Sequence, residues 1–486
     1  MKKQLSCILA ALMLTGSLSA CASGDKEPSG TSTPASGNAD VSDTTSAPET
    51  EPEIQDNLPE VNYDGQAFRM FIRNGYGDDL FREDDTGETL NDAVRDRNRA
   101  VEDRFGIKFE AVYSANTQGT DCAATISAGD DAYDLIAPAG RGAFSMVLQN
   151  LMLDWDKLTR IDLSREWWDQ DARENFNVGG KVYTMIGDIS YLNLGYSFAM
   201  VFNKNLFDNN NIAYPYEDVR QGTWTWEKWE SMLKIADQDL NSDGSIIAAD
   251  DQLGYVTHEW YGPIEFMYTA GIRTVEMDEN HIPQLSFMSE KTVDVFNRYF
   301  THIQKGKNVV TAADMFQYFS EGRVFTIDCT VAGTSNLREM EDEFGIVPWP
   351  KYSEEDEYAA CINAAASLLC VPVTIKNPEF VSTIIEGMAS ESYKNLIPVY
   401  YDVVLQTKQA RDKDSSEMLD IIRASRVFDF GYYNNTIGDI ANMGVTLYNN
   451  YGSASTLSSY YKKAETATKK KLDQITEKFL KLGDEQ

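Results

Sequence analysis

Histidine and reactive cysteine are scarce in this sequence. Three histidines, His258, His281 and His302, stand far apart in 486 residues, so no histidine cluster with metal-ligand spacing exists. Of six cysteines, Cys122, Cys329, Cys361 and Cys370 lie beyond the N-terminal region, and none forms a C-x-x-C pair. Zinc ribbons and dithiol redox motifs are thereby removed. A bridge from Cys361 to Cys370 could join two strands, but the run AACINAAASLLCVPV is apolar, and buried, reduced thiols are expected there. Positive charge is also short: 43 Lys and Arg face 76 Asp and Glu, for a net charge of −33. Such a chain repels a polyanion, and KKK at 469–471 lies in a mixed helical segment, so nucleic acid is not expected as a partner. Missing too are G-x-S-x-G, H-E-x-x-H, a Walker loop and a G-x-G-x-x-G behind a strand. No catalytic residue is expected.

What is present begins with MKKQLSCILAALMLTGSLSAC. Lys2 and Lys3 lead an apolar core from Leu5 to Leu18, closed by the small residues Ser19 and Ala20, the order of a secretory signal. The core is shorter than the roughly 18 to 20 residues that cross a bilayer. Leu18-Ser19-Ala20-Cys21 resembles the bacterial lipobox, which implies cleavage before Cys21 and acylation of its thiol, palmitate included. Residues 1–20 are read as a lipoprotein signal peptide. Residues 21–60, rich in Ser, Thr, Pro, Gly and acids, are read as a disordered tether. A flexible chain of that length spans about 35 Å root-mean-square. The expected location is the extracellular face of the cell membrane, with the lipid as anchor.

The remaining residues exceed what one hydrophobic core supports, so at least two lobes are expected. AFRMFI (67–72) reads as a strand. TLNDAVRDRNRAVEDRF follows as a helix, capped by Thr89 with Asp92 at its third position and with Leu90, Val94, Val101 and Phe105 near one face. KFEAVY (108–113) and YDLIAPA (133–139) read as further strands with helices between and after them, the order of an open parallel sheet. Ligands of such sheets sit beyond the carboxyl ends of the strands, here the loops Arg73 to Asp79, Ser114 to Thr120 and Gly140 to Gly142. In GTWTWEKWESMLKIAD, Thr225 caps a helix whose Trp226, Trp229 and Leu233 form one stripe, a core pattern more than a ligand platform. The last 110 or so residues read as mostly helical.

One local motif is sharp. In DLNSDGSIIAAD, Asp239, Asn241 and Asp243 hold loop positions 1, 3 and 5. Gly244 is at 6, Ser245 at 7 offers its carbonyl, and Asp250 closes the loop at 12. Hard oxygens at this spacing suit Ca²⁺. A closing Asp is shorter than the usual Glu, so a weak structural site is expected, with Asp251 able to replace Asp250; an Asx-rich surface turn is the alternative.

Several stretches in order, FNKNLFDNNNI with TWTWEKW, then GRVFTIDC, EFGIVPWPKY and LLCVPVTIKNPEFVSTIIEGMAS, resemble the extracellular solute-binding proteins of ABC importers. The branch resembled includes the maltose-binding and other oligosaccharide-binding proteins. The resemblance implies an α/β, two-lobed periplasmic-binding-protein-like fold, each lobe a mainly parallel sheet flanked by helices, with the ligand cleft between lobes. It implies crossings near 202–205, 323–328 and 371–373, hence an N-terminal lobe of 61–202 plus 325–372 and a C-terminal lobe of 203–324 plus 373–486. The implied function is capture of a carbohydrate, an oligosaccharide by expectation, by hinge closure and its delivery to ABC transporter permease subunits by a monomer. The alternatives are a peptide or other small polar solute and, in another class, a secreted carbohydrate-active enzyme. Sugars call for aromatic platforms with polar residues at the rim. The platforms expected from loop position are Tyr76, Trp260, Tyr261, Tyr432 and Tyr433, and the polar residues Asn74, Arg141, Asp188, Glu259 and Asp328.

Overall fold

The strand Gln66–Arg73 buries Phe68, Met70, Phe71 and Ile72 and pairs in parallel with Ile107–Ser114 on one side and Leu135–Ala137 on the other. The computed structural model describes residues 55–405, 413–434, 437–438 and 440–483. The segments expected to be signal peptide and tether, with Cys21 between them, lie outside the described residues as far as residue 54. The folded body starts a little before residue 61: Asp56 accepts hydrogen bonds from Arg104 at 2.5 and 2.9 Å and from Ser390 Oγ at 2.8 Å, which holds its carboxyl down at about 2 against the pull of burial. The helices Thr89–Phe105 and Pro378–Glu391 cover this first sheet, and Val101, Phe105, Phe380, Ile384 and Ile385 join its core. Thr89 is the first helical residue and not the cap. Glu88 occupies the cap position without a side-chain bond, and the Asp92 carboxylate reaches back to the N–H groups of Thr86 and Gly87. Gly106 ends the helix at φ 61°, a left-handed conformation that glycine adopts without strain.

The second sheet is mixed. Its order is Phe344–Val347, Phe198–Asn203, Val324–Thr330, Leu253–His258 and Val309–Val310. The first two pairings in that order are antiparallel and the last two parallel, so a parallel rule describes half of it. Thr225 caps the helix Trp226–Ala236 through Lys228 N–H, and Trp226 and Trp229 are fully buried, with Trp229 5.9 Å from Trp349 and 5.0 Å from Tyr255 between ring centroids. Cys122, Cys329, Cys361 and Cys370 are buried and free.

The link between the two sheets is short and visible in the pairing. Ala139 pairs with Ser367, Ile136 with Cys370 and Met152 with Pro372 beside the first sheet, whereas Ser197 pairs with Ile362 where Phe198–Asn203 enters the second. Asn363 N–H also donates to Tyr196 O at 3.0 Å. A lobe boundary at 202/203 and at 324/325 would cut the five-stranded sheet in two, since it leaves residues 198–202 and 325–330 in one lobe and puts Leu253–His258, which pairs with Val324–Thr330, in the other. The crossings therefore fall near Tyr196–Ser197 and Ile362–Ser367. Short apolar strands carry no mark of which sheet they join, and pairing alone decides it.

Candidate functional site

A cavity of about 380 Å³ lies where the loops of the first sheet meet the second. From the first sheet come Arg73 and Tyr76, Thr117 and Gln118, and Ala139 and Arg141. From the second come Phe198, His258, Trp260, Tyr261 and Ile264. Asn363, Ala364 and Ala365 of the returning segment and Tyr432 and Asn442 of the C-terminal part complete it. The carboxyl-end loops of an open sheet are where ligands of such folds gather.

Each wall has a local cause. Arg73 ends its strand, and the turn that follows needs a left-handed third residue, supplied by Gly75 at φ 74°. Tyr76 N–H closes this turn on Arg73 O at 3.1 Å, which lays the Tyr76 ring 4.6 Å from the Arg73 guanidinium carbon. Arg73 is 2 % exposed. It donates to Thr117 O at 3.2 Å, Ala365 O at 2.5 Å and Ser367 Oγ at 2.8 Å, and so ties two of the loops to the returning segment. Burial pulls its pKa down while Tyr196, Asp79 and Tyr76 pull it up, and its Nε–H has no partner among the described residues. Trp260, 43 % exposed, occupies the cap position of the helix Tyr261–Thr269, and its N–H donates to His258 Nδ1 at 3.3 Å. Tyr261 packs against Phe198 and His258, each with ring centroids 4.9 Å away. Burial holds His258 below its ordinary pKa, opposed by Glu259.

Of the ten residues expected from sequence, Tyr76, Arg141, Trp260, Tyr261 and Tyr432 line this one cavity. The other five do not. Asn74 is exposed beside it and Glu259 is half-buried next to Trp260. Asp188 is buried in an ion pair with Arg423 at 2.5 Å, yet desolvation still raises it to about 6. Asp328 lies fully buried on the central strand of the second sheet, and burial raises it to about 7. Tyr433 packs in the core between Phe176 and Phe428, with its hydroxyl on Ile362 O at 3.1 Å, and Gly140 leaves room for its ring. Sequence reasoning passed over Arg73, Thr117 and Gln118, although all three lie in the loops it singled out. Asn363 and its neighbours carry no chemical signal in AACINAAASLLC.

The loop from Asp239 to Asp250 spends its oxygens on itself. Asp239 accepts from Ser242 N–H at 2.6 Å and Gly244 N–H at 2.9 Å, Asn241 from Asp243 N–H and Asp243 from Ser245 N–H, both at 2.8 Å. Asp251, not Asp250, closes it. The Asp251 carboxylate is fully buried and accepts from Leu240 and Ile247 N–H, each at 2.9 Å, while Asp250 is exposed. Among the described residues no group of three or more His, Cys, Asp or Glu is gathered as around an ion.

No family model matches the sequence, and no curated protein does. Solved structures do match the fold. An ABC substrate-binding protein of Listeria monocytogenes in complex with cycloalternan is similar at a TM-score of 0.52 and 14% identity, over 85% of this chain and 99% of that one. A cyclo/maltodextrin-binding protein complexed with maltotetraose is similar at a TM-score of 0.52 and 15% identity, over 87% and 100%. An ABC transporter solute-binding protein of Thermotoga lettingae bound with α-D-tagatose is similar at a TM-score of 0.51 and 13% identity, over 85% and 100%. The chain thus has the two-lobed α/β fold of periplasmic binding proteins, with its cavity between the lobes.

Proposed function

We propose that this protein is the substrate-binding component of an ABC importer, capturing a carbohydrate between its lobes and handing it to permease subunits. One observation carries the reading: a single cavity takes Tyr76 and Arg141 from one lobe and Trp260 and Tyr261 from the other. A ligand that touches both walls favours the closed arrangement of the lobes, and that differential contact is the signal an importer can read. Aromatic faces suit the C–H side of a pyranose, and Gln118, Asn363 and the arginines suit its hydroxyls. The solved proteins of this fold named above hold cycloalternan, maltotetraose and tagatose, which supports a sugar here. An oligosaccharide is the finer expectation. The described lining residues include no Asp or Glu, so they offer no pair of carboxyl groups for glycoside hydrolysis.

Anchorage is part of the proposal and rests on Leu18 to Cys21: the mature chain begins at Cys21, carries lipid there and stays at the outer face of the membrane. Calcium at the loop Asp239–Asp250 is a separate proposal, supported by oxygen spacing alone. Thermal denaturation over a panel of glycans, peptides and amino acids tests the function, since a ligand of the native state raises Tm by mass action. A rise with glycans, together with a smaller radius of gyration in solution scattering, is the expected result. A rise with peptides and with no glycan overturns it, and release of new reducing ends would make the protein an enzyme.

A further inference from the structure

Two arginines are among the largest fully buried side chains, and their charges are accommodated differently. Arg97 is 1 % exposed and meets only neutral acceptors: Asn98, Ser392 and the carbonyls of Asp79, Leu80 and Ile189. None of these acceptors lines the cavity. Arg73, at 2 % exposure, also has no carboxylate within ion-pair distance among the described residues, but its neutral acceptors are fewer, its Nε–H has no partner among those residues, and it lines the cavity. The carboxylate whose field reaches it, Asp79, is bound to Ser190 Oγ and lies beside Arg97. A buried cation without a counter-charge is an expensive arrangement unless something supplies the charge.

The cavity around it points the same way. In a chain with 76 acids against 43 basic residues, the described lining contains no acid and two guanidiniums, Arg73 and Arg141, with Arg141 5.9 Å from the ring centroid of Tyr432. Guanidinium binds a carboxylate or sulfate through charge-assisted hydrogen bonds, and the Arg73 guanidinium is held rigid by Thr117 O, Ala365 O and Ser367 Oγ.

We infer that the ligand is an anionic saccharide, a sugar bearing a uronate carboxylate or a sulfate, whose negative group meets Arg73 while its ring packs on the aromatic walls. This rests on the carbohydrate reading above and narrows it. The same donors serve a carboxylate and a sulfate ester, so the two are separate arms of one experiment.

Binding of the full mature chain is measured by calorimetry and thermal shift. The probes are uronate oligosaccharides of several backbones, each as free acid and as methyl ester, sulfated oligosaccharides beside their unsulfated parents, and peptides and amino acids. At least one charged member should bind at least about tenfold more tightly than its neutral counterpart, the scale by which an ionic hydrogen bond exceeds a neutral one. Arg73→Gln should bring the charged member to the level of the neutral one, and Arg73→Lys should restore part of the difference. Because Arg73 also ties loops together, the comparison of acid with ester on the wild-type chain decides the matter even where the variants fold poorly. Neutral glycans binding as well as charged ones overturn the anionic ligand and leave the carbohydrate reading standing. Binding of peptides or amino acids alone, with no saccharide of either charge, overturns both.

Discussion

Asp328 and Glu265 are fully buried carboxyls within each other's field, and no described cation pairs with either. Desolvation raises Asp328 to about 7, tempered by the nearby hydroxyls of Thr257 and Tyr255, and Glu265 well above the ordinary range with Asp328 adding to it. The folded chain thus keeps protons that the unfolded chain releases near pH 4. Their contribution to stability is complete below that point and is lost as pH rises through about 7. Asp328→Asn should therefore shrink the fall in stability between pH 5 and pH 8 by on the order of 1 to 3 kcal/mol, read from urea midpoints. An unchanged pH profile in the variant would show that Asp328 is not the proton holder. Trp260, far more exposed at 43 %, should behave in the opposite manner. Trp260→Ala is expected to weaken ligand binding by about 1 to 3 kcal/mol with Tm of the free protein nearly unchanged; equal affinity would remove it from the site. At this scale the sequence was half legible. Loop position located Tyr76 and Trp260, but Tyr432 and Tyr433 are neighbours in the short helix Phe430–Tyr433. Successive helical residues point about 100° apart, and nothing in GYYNN tells which one meets the cavity.

Among elements, the loop Asp239–Asp250 has two stable descriptions that a titration separates. In the structure its N–H groups are already satisfied by Asp239, Asn241, Asp243 and Asp251, and such a turn holds itself. If the same oxygens also wrap Ca²⁺, millimolar calcium should raise Tm by a few degrees over chelator, and Asp243→Ala should abolish the rise. Equal melting with calcium and with chelator leaves a self-capped turn. The strands and helices of the first sheet were legible because a short apolar run in Gln66–Arg73 gives way to apolar residues at a spacing of about 3.6 in Thr89–Phe105. The crossings were not. Whether Phe198–Asn203 joins one sheet or the other depends on its partner Val324–Thr330, more than a hundred residues later, and all of its residues are buried whichever sheet it enters.

At the scale of the whole molecule, a cavity whose described lining holds no acid sits in a protein of net charge −33. For an anionic ligand these two facts act at different ranges. The surface repels over about 10 Å at 0.1 M salt, whereas Arg73 attracts only on contact. Salt therefore separates speed from strength: stopped-flow capture of a charged sugar should quicken as ionic strength rises from about 0.01 to 0.15 M, while its release quickens more. A neutral sugar should show neither trend. The protein would then work as a filter against distant anions that nevertheless rewards the rare one arriving at the mouth, so that crowding by other polyanions near the cell costs it little occupancy.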